Sequence, residues 1–143
     1  MKKSSILTKV AQGLACVAVL AAASPVATAA TKPPTTWSPA YSGNYTDSTT
    51  ARGIKYVVIH TIEGTAAGAI SWFKNPASKV SAHYIVNFDG KITQMLSDGD
   101  IGWHAGNYTY NTHSIGIEHA GYAYKNHWTE EEYKASAQLT RYL

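Results

Sequence analysis

Histidine and carboxylate side chains from residue 60 onward are of the types that bind metals and transfer protons. All six histidines of the 143-residue chain lie between His60 and His127. No fixed metal-binding spacing such as H-E-x-x-H is present. The residue types therefore predict imidazole chemistry, and their spacing alone does not assign a metal.

His60 and Glu118 are the two strongest candidates for chemistry. His60 ends an apolar, β-branched segment, and functional side chains often project from the ends of buried strands. The alternative for His60 is a capped strand-end histidine. Glu118 lies inside the apolar segment SIGIEHA, and a buried glutamate must be paired, metal-bound or shifted in pKa. The alternative for Glu118 is an edge strand that exposes it to water.

The segment WHAGN at residues 103–107 combines an aromatic ring, an imidazole, small residues and an amide. Such a mixture suits a groove for a polar ligand such as a sugar, with Trp103, His104 and Asn107 as the contacting residues. The alternative is a packed loop.

The remaining histidines have plainer interpretations. His83 lies in the middle of an apolar segment and is expected to be a hydrogen-bonded core residue. We expect His113, His119 and His127 to be surface or supporting groups.

The elements that must position these residues follow from the hydrophobic pattern. Strands are predicted at 54–61, 81–88, 91–96 and 114–120, and helices at Ala66–Lys74 and after Thr129. Asp89-Gly90 predicts a hairpin between the second and third strands. Along the last strand, Glu118 is expected on the face opposite His119. This order predicts an α/β (α+β) fold, in which a central mixed sheet is flanked by helices.

The first 29 residues have the layout of a secretory signal peptide. Lys2, Lys3 and Lys9 precede an apolar run of about 14 residues, shorter than the roughly 20 that span a bilayer, and Ala27-Thr28-Ala29 resembles a cleavage site. The alternatives are a membrane anchor or a lipoprotein attached through Cys16. Residues 30–50 are predicted to be a flexible Thr/Ser/Pro-rich lead-in, and 51–143 the domain. We therefore expect a secreted, extracellular protein associated with the cell wall.

Signal cleavage would change the charge of the chain. The formal net charge is +3, and removing those three lysines leaves nine basic and nine acidic residues. A neutral mature protein does not favour a nucleic-acid partner. We expect no nucleic-acid partner, no stable membrane anchor after cleavage, and a monomer.

Five motifs in order carry a resemblance to a known family. They are VIHT at 58–61, SAHY at 81–84, DGKITQ at 89–94, WHAGN at 103–107 and SIGIE at 114–118. Together they resemble the zinc-dependent N-acetylmuramoyl-L-alanine amidases of type 2, which are related to the peptidoglycan recognition proteins. The resemblance implies a central mixed sheet and cleavage of the amide between N-acetylmuramic acid and L-alanine in peptidoglycan.

The resemblance also implies roles for individual residues. His60 would be the first Zn²⁺ ligand, Glu118 the catalytic carboxylate, and Trp103 to Asn107 the lining of a groove for peptidoglycan or muropeptides. Phage-type members carry a catalytic tyrosine at the position of Ala82, so this chain resembles the glutamate-using branch.

The resemblance also places the remaining zinc ligands after the helix that begins near Glu130. They are therefore expected beyond Leu143. This predicts a domain that is incomplete at its C-terminal end, and the 143-residue chain by itself is expected to be inactive. The alternative hypothesis is a non-catalytic peptidoglycan-binding module.

Overall fold

The computed structural model describes residues 29–125 and 128–143. The predicted signal peptide, apart from Ala29, lies outside the described residues, and so does His127.

A five-stranded mixed sheet forms the centre of the domain, in the order β1-β5-β4-β7-β3. These strands are β1 (Thr35–Trp37), β3 (Tyr56–Thr61), β4 (Tyr84–Val86), β5 (Ile92–Gln94) and β7 (Ser114–His119). Within this sheet β4 and β5 pair antiparallel, as the predicted hairpin requires, and the other neighbours are parallel. The predicted α/β fold with a central mixed sheet is confirmed.

Helices cover both faces of this sheet. On one face, α1 (Ala66–Lys74) packs against a buried cluster that contains Ile85 of β4. On the other, α3 (Glu130–Tyr142) packs against Ile115 and Ile117 of β7. Because side chains alternate along a strand, Ser114, Gly116 and Glu118 are left on the α1 face. The sequence pattern predicted this division of β7.

Both predicted helices begin at side-chain caps. The Thr65 side chain accepts a hydrogen bond from the backbone N–H of Gly68, and Thr129 accepts one from Glu132. Within the described part of the chain, no helix is both long enough and apolar enough to cross a membrane.

The segment at 30–50, predicted as a flexible lead-in, is built into the domain. Its β1 pairs with β5, and β2 (Tyr45–Thr46) pairs with β6 (Ile101–Gly102). Asn44 is fully buried, and its amide donates to the carbonyl oxygens of Phe73 and Asn75. Backbone pairing and a buried amide order this segment, and neither depends on the hydrophobic residues that mark a strand.

A third helix, α2 (Tyr108–His113), was not predicted. It begins at Asn107, whose side-chain oxygen accepts a hydrogen bond from the backbone N–H of Tyr110. It leads directly into β7 and therefore connects the WHAGN segment to the strand that carries Glu118.

Candidate active site

His60 and Glu118 lie side by side at the ends of two neighbouring parallel strands. They are register partners across β3 and β7, so their side chains are on the same face of the sheet. β7 lies between β4 and β3, which excludes the alternative of an edge strand for Glu118. The sheet thus brings together the two residues that the sequence predicted as the strongest catalytic or metal-binding candidates.

His104 is the third member of this cluster. Its Nδ1 lies 3.0 Å from Nε2 of His60, and its Nε2 lies 3.2 Å from Oγ of Ser114. The loop that carries His104 is fixed by Asn111 of α2, whose side-chain oxygen accepts from the backbone N–H groups of His104 and Ala105. His104 is therefore held against His60 by bonds on both sides.

Gly116 makes this close approach sterically feasible. A Cβ atom at position 116 would lie 2.5 Å from Cγ of His104. Any other residue at this point of β7 would displace the imidazole from its position beside His60.

The three imidazoles nearest the site are held neutral. Burial lowers the pKa of His60, and burial, with the neighbouring His83 and His60, lowers the pKa of His104 to about 3. His83 is fully buried and its pKa is lowered to about 4, mainly by desolvation. Each neutral imidazole has one nitrogen lone pair, which can accept a hydrogen bond.

His83 has the predicted role of a hydrogen-bonded core residue. Its Nδ1 accepts from the backbone N–H of Gly116 at 3.1 Å, and its Nε2 lies 2.9 Å from the carbonyl oxygen of Asp100. It supports β7 at Gly116, and its ring meets that of His104 edge-on, with the centroids 6.0 Å apart.

The pKa of Glu118 shifts in the opposite direction from the pKa values of the histidines. Burial raises the pKa of its carboxyl group to about 7. A carboxyl group with such a pKa exchanges a proton readily near neutral pH, which suits a general acid–base role.

The raised pKa of Glu118 predicts a pH-dependent stability for the metal-free protein. Because the pKa of about 7 in the folded protein exceeds the usual glutamate value of 4.5, the stability that protonated Glu118 supplies below pH 4.5 is lost as pH rises through 7. Glu118→Gln, which mimics the protonated acid, should raise the free energy of unfolding at pH 8 by about 1–3 kcal/mol. At pH 4 it should leave that free energy nearly unchanged. Urea denaturation at the two pH values measures the difference.

Glu131→Gln is the matched control, because Glu131 is exposed on α3. Equal effects of Glu118→Gln at pH 4 and pH 8 would contradict the assigned pKa.

A groove of about 450 Å³ opens beside this cluster and runs along α1. Glu118, His104 and Trp103 line it, and Trp72 and Val80 contribute apolar surface. The remaining lining residues are mostly small or apolar, and neither lysine nor arginine is among them. A groove of this size and composition can bind an uncharged or amide-rich ligand.

The predicted groove residues separate into two groups. Trp103 and His104 line the groove, whereas Asn107 is used as the side-chain cap of α2 and does not line it. A substrate contact for Asn107 therefore stays a prediction.

His119 is 1% exposed and is a buried supporting group. It faces away from Glu118 as predicted, stacks on Trp128, and its Nδ1 lies 3.3 Å from the carbonyl oxygen of His60. His113 contacts the carbonyl oxygen of Gly53 away from the groove.

Arg52 was missed by the sequence analysis. Its guanidinium donates to three backbone carbonyl oxygens at the end of α2, those of Asn111, Thr112 and Ser114, and to the carbonyl oxygen of Asp98. It therefore fixes the connection from α2 to β7. Ser114 and Gly116 were also missed, because their roles depend on His104, which is distant in sequence.

The donor atoms near His60 fit zinc in kind but not in number. A neutral histidine is a preferred zinc ligand, and hydrolytic zinc sites use three protein ligands. Across residues 29–125 and 128–143, no group of three His, Cys, Asp or Glu side chains could hold a metal ion. The described residues therefore do not complete a hydrolytic zinc site by themselves.

Comparisons with known proteins agree with this geometry. A curated relative, N-acetylmuramoyl-L-alanine amidase A of Achromobacter lyticus, is 48% identical over 107 residues, which cover 73% of this chain and 58% of the relative. The structure of AmpD matches with a TM-score of 0.57 at 24% identity, over 76% of this chain and 75% of that chain. Drosophila peptidoglycan recognition protein SA matches with a TM-score of 0.59 at 19% identity, over 76% of this chain and 70% of that chain. At these identities the two structures support the fold alone.

The chain spans little more than half the length of the Achromobacter relative. The family model described as N-acetylmuramoyl-L-alanine amidase matches residues 50–143, which include every residue of the cluster around His60. The chain therefore belongs to the Amidase_2 family of N-acetylmuramoyl-L-alanine amidases.

Proposed function

We propose that the protein hydrolyses the amide bond between N-acetylmuramic acid and L-alanine in bacterial peptidoglycan. The observation that carries this proposal is that Glu118, with a pKa of about 7, lines an open groove and is the register partner of a neutral His60 on the neighbouring strand. The relative from Achromobacter lyticus, named as an amidase of this bond, supports it at 48% identity.

Glu118 would act first as the general base and then as the general acid in this reaction. Its carboxylate takes a proton from the attacking water as the water oxygen bonds to the amide carbonyl carbon. It then gives this proton to the nitrogen of L-alanine as the C–N bond breaks, so the carboxylate is regenerated. The apolar groove walls at Trp72 and Trp103 would hold the muropeptide and exclude bulk water.

We propose Zn²⁺ as the cofactor, with His60 as one ligand and the remaining ligands outside the described residues. When bound, zinc would polarise the amide carbonyl and lower the pKa of its bound water. His60 would contribute a neutral imidazole without adding charge.

Residues 30–143 alone are expected to hold zinc weakly and to show little activity. One imidazole plus water cannot retain the ion, because affinity requires a set of protein ligands. Metal analysis after dialysis against metal-free buffer checks this. Stoichiometric zinc in that segment after dialysis would contradict the expectation, and His60→Ala is the variant that identifies the ligand.

A second candidate function is a non-catalytic peptidoglycan-binding module. It is favoured by one observation, that the described residues contain no three-ligand metal group. Incubation of the full-length protein with purified sacculi separates the two. Chelator-sensitive release of soluble stem peptides supports the amidase. Co-sedimentation with the sacculi without any release supports the binding module.

We propose that residues 1–29 direct secretion and that the mature protein acts at the cell wall as a monomer. The basic and apolar pattern of this segment supports the secretion step. Mass spectrometry of the secreted protein would test it, with an N-terminus at Ala30 as the expected result.

A further inference from the structure

A chain of hydrogen bonds runs from α2 through β7 and the WHAGN loop to His60. Its members are the carbonyl oxygen of Tyr110, the hydroxyl of Ser114, the ring of His104 and the ring of His60. We propose that Ser114 and His104 are positioning residues that place the His60 proton on Nε2 and leave Nδ1 with the lone pair available to a metal. The functional importance of this arrangement rests on the proposed role of His60, but the arrangement itself does not.

Ser114 determines which atom donates in each of these hydrogen bonds. Its hydroxyl has one proton, which it donates to the carbonyl oxygen of Tyr110 at 2.5 Å. That oxygen can only accept, so the Ser114 hydroxyl has no proton left for His104. The contact of 3.2 Å between Ser114 Oγ and His104 Nε2 therefore requires the proton on Nε2 of His104.

The same reasoning fixes the donor and acceptor nitrogens of His60. A neutral imidazole carries one proton, so His104 with a protonated Nε2 has a lone pair on Nδ1. Nδ1 of His104 lies 3.0 Å from Nε2 of His60 and must accept there. His60 therefore donates through Nε2, and its own Nδ1 holds the lone pair.

Neighbouring residues hold this series of hydrogen bonds in place. Asn111 binds the two backbone N–H groups of the His104 loop, and Gly116 leaves the space that the His104 ring fills. Tyr110 and Asn111 both belong to α2. The short helix would thus act in catalysis at a distance, by orienting a metal ligand through its partners, as the outer partners of ligating histidines do in metal sites.

Nitrogen-15 NMR of the metal-free protein at pH 8 tests the proposal without any need for activity. The expected result is a protonated Nε2 and an unprotonated Nδ1 on both His60 and His104. A scalar coupling across the N–H···N bond should join His60 Nε2 to His104 Nδ1. A protonated Nδ1 on His60, or a proton on Nδ1 of His104, would overturn the proposal.

Variants of Ser114 test whether its hydroxyl sets the direction of the hydrogen bonds or only fills space beside His104. Ser114→Ala should abolish the coupling or mix the two tautomers, and Ser114→Thr, which keeps the hydroxyl, should retain the wild-type pattern. Thr112→Ala is the matched control, because the Thr112 hydroxyl also donates to a carbonyl oxygen of α2, that of Tyr108, outside the chain. An unchanged coupling and tautomer in Ser114→Ala would also contradict the proposal. Because metal and substrate are absent from the measurement, failure of the amidase proposal would not affect its outcome.

Discussion

Glu118→Gln is expected to lower kcat for amide hydrolysis by the full-length protein about 10²–10⁴-fold, with little change in KM. The glutamine keeps the shape of the carboxyl group but cannot take a proton from water or return it to the leaving nitrogen. The apolar lining residues of the groove, such as Trp72 and Trp103, are unchanged in this variant, so ligand binding should survive the change. Initial rates of stem-peptide release from a soluble muropeptide, at several substrate concentrations, measure the two constants.

The control for this variant is Glu131→Gln, which removes an exposed carboxylate on α3 and should leave both constants at the wild-type level. Because Glu118→Gln is also expected to stabilise the metal-free protein at pH 8, a loss of activity cannot then be assigned to unfolding. If Glu118→Gln kept kcat within about threefold of wild type, a proton-transfer role for this residue would be excluded.

Gly116→Ala is the second substitution with a large expected effect. The added methyl would lie 2.5 Å from Cγ and 2.6 Å from Cδ2 of His104, so the imidazole ring must move or the strand must shift. Overpacking of this kind should lower the free energy of unfolding by about 1–3 kcal/mol. Since a misplacement of about 1 Å in a catalytic site can cost about 10² in rate, kcat should fall by a similar factor. Urea denaturation and initial rates measure the two effects.

Gly53→Ala is the matched control, because a methyl at Gly53 meets no atom within 4 Å. It should be neutral in both measurements. Wild-type stability and activity in Gly116→Ala would mean that the approach of His104 to β7 is not needed, and the described position of His104 would then have no functional role.

The parts of the site on regular strands were predictable from the sequence. Alternation along 114–120 placed Glu118 opposite His119, and the apolar segment before His60 placed that residue at a strand end. These predictions succeed because a strand has a period of two residues and its buried face needs apolar side chains. Their meeting across β3 and β7 also requires the parallel pairing of these two strands, which the sequence pattern does not specify.

The parts that depend on polar contacts between distant residues were not predictable. β1 has too few apolar residues to mark it as a strand, and it is ordered by backbone pairing with β5. α2 contains tyrosine, threonine and asparagine, which are weak helix formers, and it depends on its Asn107 cap. The contact between His60 and His104 joins residues 44 positions apart, and no periodicity signals it.

The most direct test of the proposed reaction identifies the chemical ends that the full-length protein creates in purified sacculi. Labelling of new amino groups, followed by hydrolysis and chromatography, identifies the residue that each cleavage exposes, and a reducing-sugar assay counts broken glycosidic bonds. The account predicts new L-alanine amino termini in proportion to the peptide released, with no new reducing ends. New reducing ends, or amino termini of any other residue, would contradict it.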